Sequence, residues 1–202
     1  MSVPRLCAFA ALLVLNRSWN LARFDLPLKG FGKAALLGLP PMALWIFYFS
    51  GSDGEAFSPF MKFLGLVTSL IVGLFEEYAF RGPLLFALRQ RLSLFSTIAV
   101  SNVLFAAYHV QAEPVRFWPV IFLTGVIYAN LRFRGLSLGW LAIIHGVTDA
   151  FYFVFPDINP DIFGFYGLVL QGGLLIYAVA TFPWDKVFKV PSNGKLEAGN
   201  EG

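Results

Sequence analysis

Six apolar segments of roughly membrane-spanning length follow one another along this chain, and that pattern constrains the fold more than any single motif. They run Ala34 to Ser50, Phe60 to Phe80, Leu94 to Val110, Phe117 to Leu131, Leu136 to Phe155 and Ile162 to Phe182, with short turns rich in Gly, Pro, Asp and Arg between them. A helix needs about 20 mostly apolar residues to cross a bilayer, because every backbone polar group must be satisfied within the helix itself. A shorter run, Leu6 to Leu15, is a seventh candidate at the N-terminus. Composition agrees: the 202 residues are 57% hydrophobic and 13% charged, against about 25% charged in a soluble domain. The expected fold is therefore all-α, a polytopic transmembrane helix bundle. It forms one domain over residues 1–183, with a polar, disordered tail over 184–202.

The net charge of +3 is too small to suggest nucleic acid, and its placement says more than its size. Arg17, Arg23, Lys29 and Lys33 precede the first strong span, Arg89 and Arg91 follow the second, and Arg132 and Arg134 occupy a later turn. Lys186, Lys189 and Lys195 lie in the tail. The alternate loops hold Asp53 and Glu55, then Glu113 with Arg116, then Asp157 and Asp161. Basic turns face the cytoplasm, so the expectation is an integral protein of a bacterial inner membrane with its C-terminus inside. Cys7 is the single cysteine, which excludes an internal disulfide. Asn16-Arg17-Ser18 matches a glycosylation sequon by chance, set as it is against an apolar segment.

Within the spans the ionisable groups are few: Glu76, Glu77, Arg81, His109, His145 and Asp149, which include both histidines of the chain. Such groups are costly in a membrane and by default mark function. Glu76 lies 15 residues before Arg91 and His109 lies 16 after Ser93. At ~1.5 Å per residue, a hairpin turning at Arg91 to Ser93 puts both at about 22–24 Å from the turn. His145 and Asp149, counted from Arg134, reach a similar level, so three helices bring polar groups to one depth. Gly82-Pro83 predicts a kink just after the glutamates. Glu77 and Arg81 stand four apart with the acid first, the favourable order for an ion pair. Glu76 is about 100° away around the helix and needs a partner from another helix. His145 and Asp149 share a face, as do Phe105 and His109.

These residues resemble the motifs of the CAAX proteases and bacteriocin-processing enzymes, an intramembrane protease family that includes the type II CAAX prenyl endopeptidase. The motifs stand here as EEYAFR (Glu76 to Arg81), FAAYH (Phe105 to His109) and HGVTD (His145 to Asp149), and the resemblance covers roughly Gly73 to Phe155. It implies an endopeptidase acting on a membrane-associated peptide. Glu76 would activate water, and His109 would orient and polarise that water. His145 with Asp149 would stabilise the oxyanion, and Glu77 with Arg81 would form a structural ion pair. One departure matters. The CAAX-protease branch carries Asn where this chain has Asp149, and an ionised Asp cannot donate a hydrogen bond to an oxyanion. Asp149 is then expected to be protonated or to fix the tautomer and charge of His145.

Glu76, His109, His145 and Asp149 are also zinc-type donors, so a zinc protease using the same residues is the alternative mechanism. Without an HExxH pair in the sequence, the metal-free glutamic mechanism is favoured and no cofactor is expected. Two non-enzymatic readings stand beside these: a transporter, which would more often show repeats or paired broken helices, and a silent scaffold conferring immunity. The expected partners are the lipid bilayer and a membrane-associated peptide or protein substrate.

Overall fold

The computed structural model describes residues 28–51, 57–109, 113–155 and 161–187. The N-terminal segment Leu6 to Leu15, Cys7, the sequon, Arg17, Arg23, Asp53, Glu55, Val110, Asp157, Lys189, Lys195 and the rest of the tail from residue 188 lie outside the described residues. Among the described residues every regular element is helical. In chain order these are α1 (Phe31–Phe49), α2 (Pro59–Ala79), α3 (Leu85–Arg89), α4 (Leu94–Tyr108), α5 (Trp118–Phe133), α6 (Leu138–Val154) and α7 (Phe165–Thr181). Helices thus occupy all six expected positions. Three of them begin at a serine whose hydroxyl takes an otherwise orphaned backbone N–H. Ser58 accepts from Met61, Ser93 from Ser96 and Ser137 from Trp140, at 3.3, 3.1 and 3.3 Å. Pro59 follows the first of these caps, where its missing N–H costs nothing.

Six full crossings do not follow from these helices. Two segments are long and apolar enough to cross a membrane, Phe31–Phe49 and Pro59–Arg89, while α4, α6 and α7 are apolar but shorter. A helix of 15 residues such as α4 rises about 22 Å, short of the ~30 Å hydrocarbon core. The expected span runs to Val110, whereas α4 stops at Tyr108 with His109 as its C-cap, the ring bonded back to the Phe105 carbonyl. The surface is nonetheless that of a membrane protein. Phe31, Leu36, Phe60, Phe95, Phe165 and Ile176 are each about 70% exposed on four different helices, an apolar exterior that water would not tolerate over so wide an area.

The predicted break falls in place. Residues Phe80–Leu84 form a π-helical turn in which Gly82 leaves the helical region (φ −91°, ψ −112°), and Pro83 follows it. Glu76 and Glu77 therefore sit on the last turn of α2 and Arg81 in the π-turn, a local geometry that often marks functional sites.

The closest helix pair is α2 with α6, built from small residues at every fourth position. Gly65, Ser69 and Gly73 on α2 and Ala142, Gly146 and Ala150 on α6 are all buried. Small residues let two backbones approach until dispersion contacts, not lipid exclusion, hold them. A Cβ on Gly73 would stand 2.7 Å from the Ala142 carbonyl oxygen, and one on Gly146 2.6 Å from the Leu70 Cα. Both clashes are with backbone, which cannot rotate away. Gly73→Ala is therefore expected to lower stability by about 1–3 kcal/mol through overpacking, measurable as a lower melting temperature in detergent, whereas Gly172→Ala, where a Cβ meets nothing, should be neutral or better.

The basic turns gather at one end of the bundle. Arg134 donates to the carbonyls of Thr181 and Phe182 at the end of α7 (2.6 and 3.2 Å), and Lys186 donates to the Phe133 carbonyl at the end of α5 (2.6 Å). Each helix end is thus capped by a cation beyond the other, where the helix dipole is negative. Residues 184–186, assigned from the sequence to the disordered tail, form a 3-10 turn instead, held by this contact and by Trp184 against Phe182. Lys29 joins the same end, its carbonyl accepting from the Trp140 indole at 3.0 Å.

Candidate active site

The six ionisable residues singled out in the sequence meet in one cluster. From α2, Glu76 points its Oε2 toward the Nε2 of His109 (3.5 Å) and the Nε2 of His145 (3.7 Å). From α6, Asp149 brings Oδ2 to 3.5 Å from the same His145 Nε2. Glu76 is 3% exposed and its Oε2 has no direct hydrogen-bond partner. A buried carboxylate oxygen faced by two imidazoles just beyond hydrogen-bond reach is placed to act on a small molecule or on a developing charge among them.

Both histidines have their tautomers fixed from behind. His109 Nδ1 lies 2.8 Å from the Phe105 carbonyl, which can only accept, so Nδ1 carries the proton and Nε2 faces the site. His145 Nδ1 lies 2.8 Å from Glu77 Oε1 and donates to it. This second contact alters the reading of Glu77. Its ion pair with Arg81 is present, at 3.3 Å, but the same oxygen also orients the site histidine. Fixing the tautomer of His145 is one of the two roles expected of Asp149, but Glu77 is the group at Nδ1, and Asp149 meets the other ring nitrogen. The stripe of small residues explains the link: Gly65, Ser69, Gly73 and Glu77 fall four apart on the face of α2 that meets α6.

Arg81 reaches farther than its i,i+4 partner. Its Nη2 donates to Asn102 Oδ1 on α4 (3.3 Å) and to the Gly125 carbonyl on α5 (3.0 Å). The guanidinium carbon lies 4.2 Å from the Phe105 ring centre, a cation–π stack. Arg81, Glu77 and Asn102 are at most 1% exposed. Asn102 is held in turn by its own donation to the Ile98 carbonyl at 2.7 Å. Sequence reasoning missed Asn102 and Gly125. A polar residue inside an apolar helix was the signal for the first. The second carried no signal beyond being glycine, although a Cβ there would collide with Asn102 and stand 3.0 Å from the guanidinium.

A cavity of about 370 Å³ opens over the cluster. His109, His145 and Asp149 line it, with Tyr128 and Thr148 beside them and Trp45, Ile121 and Phe153 among its apolar walls. Asp149 is the most accessible of the set, 35% exposed at its side chain. Glu113, in the turn after α4, also lines the cavity; burial raises its carboxyl above the ordinary range, against a lowering pull from His109. Among the described residues no group of three or more His, Cys, Asp or Glu is arranged to hold a metal ion.

Residues 58–151 match the Rce1-like family model, described as type II CAAX prenyl endopeptidase Rce1-like. No curated protein and no solved structure matches the chain. The matched stretch contains all three motifs and every residue of the cluster, so over these residues the chain is similar to the Rce1-like family.

Proposed function

We propose that the chain is an intramembrane endopeptidase that hydrolyses a peptide bond with water activated by Glu76. The observation that carries this reading is the convergence of Glu76 Oε2 with the Nε2 atoms of His109 and His145 at 3.5 and 3.7 Å, beside a cavity of about 370 Å³ lined by both histidines. Glu76 takes a proton from water as the water oxygen bonds to the substrate carbonyl carbon. His109, with its Nδ1–H tied back to Phe105, offers Nε2 to hold that water. His145 in its imidazolium form donates from Nε2 to the oxyanion, the carboxylate of Glu77 balancing its charge at Nδ1 and Asp149 orienting groups beside Nε2; donors aimed at a developing oxyanion carry much of the rate in such reactions. The C–N bond then breaks, and the proton held by Glu76 passes to the leaving amine. The basic end of the bundle lies in the cytoplasm on this reading, with the C-terminus.

A zinc-dependent protease would enlist the same Glu76, His109, His145 and Asp149, the last as a carboxylate ligand. Asp149→Asn separates the two. If Asp149 acts by orienting and hydrogen bonding around the oxyanion beside His145 Nε2, the amide supplies a donor directly and substantial activity is retained. If Asp149 ligates zinc, the amide is a far poorer ligand, and bound metal and activity are lost together. The expected result is retained turnover in metal-depleted Asp149→Asn protein, with metal content measured on the same sample. Stoichiometric zinc in the unmodified protein, lost along with activity in the variant, would sink the metal-free mechanism.

A further inference from the structure

The cavity and the basic turns occupy opposite ends of the same helices. The cavity reaches Trp45 in the last turns of α1, Glu113 after α4, Phe117 and Ile121 at the start of α5, and Tyr152 and Phe153 at the end of α6. Arg89 ends α3 and Arg91 follows it, Arg132 and Arg134 close α5, and Lys186 follows α7, all at the other end. Between the two, the described residues are closely packed. Directly beneath the cluster lie Glu77, Arg81 and Asn102, and below them Leu85, Leu94, Ile98, Ala129 and Phe133 pack into an apolar plug no more than 6% exposed. A peptide arriving from the basic end meets that plug before it reaches Glu76.

We infer that the site is entered from the face opposite the basic turns, the extracytoplasmic one, and takes an apolar peptide segment that lies outside the cytoplasm beside its own membrane anchor. The inference rests on the protease reading for its substrate and on the charge asymmetry for its side. Aromatic and aliphatic walls from Trp45, Phe117, Ile121 and Phe153 suit an apolar side chain at depth. A lipidated tail presented on the cytoplasmic leaflet would face the plug. The mouth also carries Glu113, a carboxylate in a position where a substrate residue entering the cavity passes it.

Two cysteine variants in a Cys7→Ser background test the side without requiring a known substrate. Ile121→Cys places a thiol in the cavity wall and Arg91→Cys places one in a basic turn. Right-side-out membrane vesicles are treated with a small, membrane-impermeant sulfonated methanethiosulfonate, before and after the membrane is opened with detergent. Labelling of Ile121→Cys in sealed vesicles, with Arg91→Cys labelled only after opening, is the expected result. Labelling of Ile121→Cys only after opening, or not at all, overturns the inference, as does labelling of Arg91→Cys in sealed vesicles. A second measurement fixes the substrate class: protein N-termini present in cells with the unmodified chain and missing with Glu76→Gln should map to extracytoplasmic residues next to a membrane anchor. New termini on cytoplasmic segments would overturn it. The two readings fail separately, since the thiol pattern is independent of turnover, while purified protein that cleaves nothing in a Glu76-dependent way sinks the protease reading whatever the thiols show.

Discussion

Glu76→Gln is expected to give a protein that folds and melts as the unmodified chain does but turns over substrate about 10²–10⁴-fold more slowly, the range by which a positioned general base contributes. The amide keeps the size of the side chain and can still meet the Nε2 atoms of His109 and His145, so packing around this 3%-exposed residue is undisturbed. What it loses is the capacity to take a proton from water. Because Oε2 has no direct hydrogen-bond partner in the fold, no structural contact is sacrificed with it. Turnover and thermal unfolding should be measured on the same detergent preparation. Normal cleavage by Glu76→Gln, with an inactive but fully stable Glu77→Gln, would reverse the roles given to the two glutamates. A transporter or a silent scaffold would show no Glu76-dependent cleavage at all.

The helices and the meeting of their polar groups could be read from sequence because both follow from simple periodicities. Apolar runs gave the six helical positions, and serine caps mark three of their starts. Counting residues from the basic turns put Glu76 and His109 at one level, and the structure brings them to 3.5 Å. The Gly82-Pro83 break was legible for the same reason: few residues disturb a helix so predictably. Helix length was less legible. The expected span runs to Val110 while α4 stops at Tyr108, and hydropathy cannot see that the His109 ring bonds back to the Phe105 carbonyl.

The contacts that no local pattern announced are those between helices. Glu77 looked complete with Arg81 four residues away, and its bond to His145, 68 residues on, became visible only with α2 and α6 in register. The signal was in the sequence all the same, as small residues at 65, 69 and 73 facing 142, 146 and 150. A stripe of that kind says which face of α2 meets another helix, and Glu77 extends it by one turn. The cradle of Arg81 is harder to foresee. Asn102 and the Gly125 carbonyl come from two further helices, and only the packed bundle sets them around one guanidinium.

That cradle leads to the largest expected effect on stability. Arg81→Ala removes the cation and leaves the Glu77 carboxylate, 0% exposed, with only His145 as a polar partner; Asn102 Oδ1 and the Gly125 carbonyl also lose their donor. Breaking a buried pair in this way costs about 3–5 kcal/mol, which should appear as poor yield and a much lower melting temperature. Arg81→Lys should recover part of this and no more, since one ammonium cannot span Glu77, Asn102 and Gly125 as the planar fork does. The informative variant removes both charges together. Arg81→Met with Glu77→Leu exchanges a buried ion pair for apolar bulk, and such exchanges are often close to neutral in stability. Its melting temperature should therefore rise well above that of Arg81→Ala. Turnover should stay lost, because His145 Nδ1 no longer has the carboxylate that orients its ring and balances its charge. Recovery of both stability and turnover would show that Glu77 serves Arg81 alone and that the 2.8 Å bond to His145 does not matter to the chemistry.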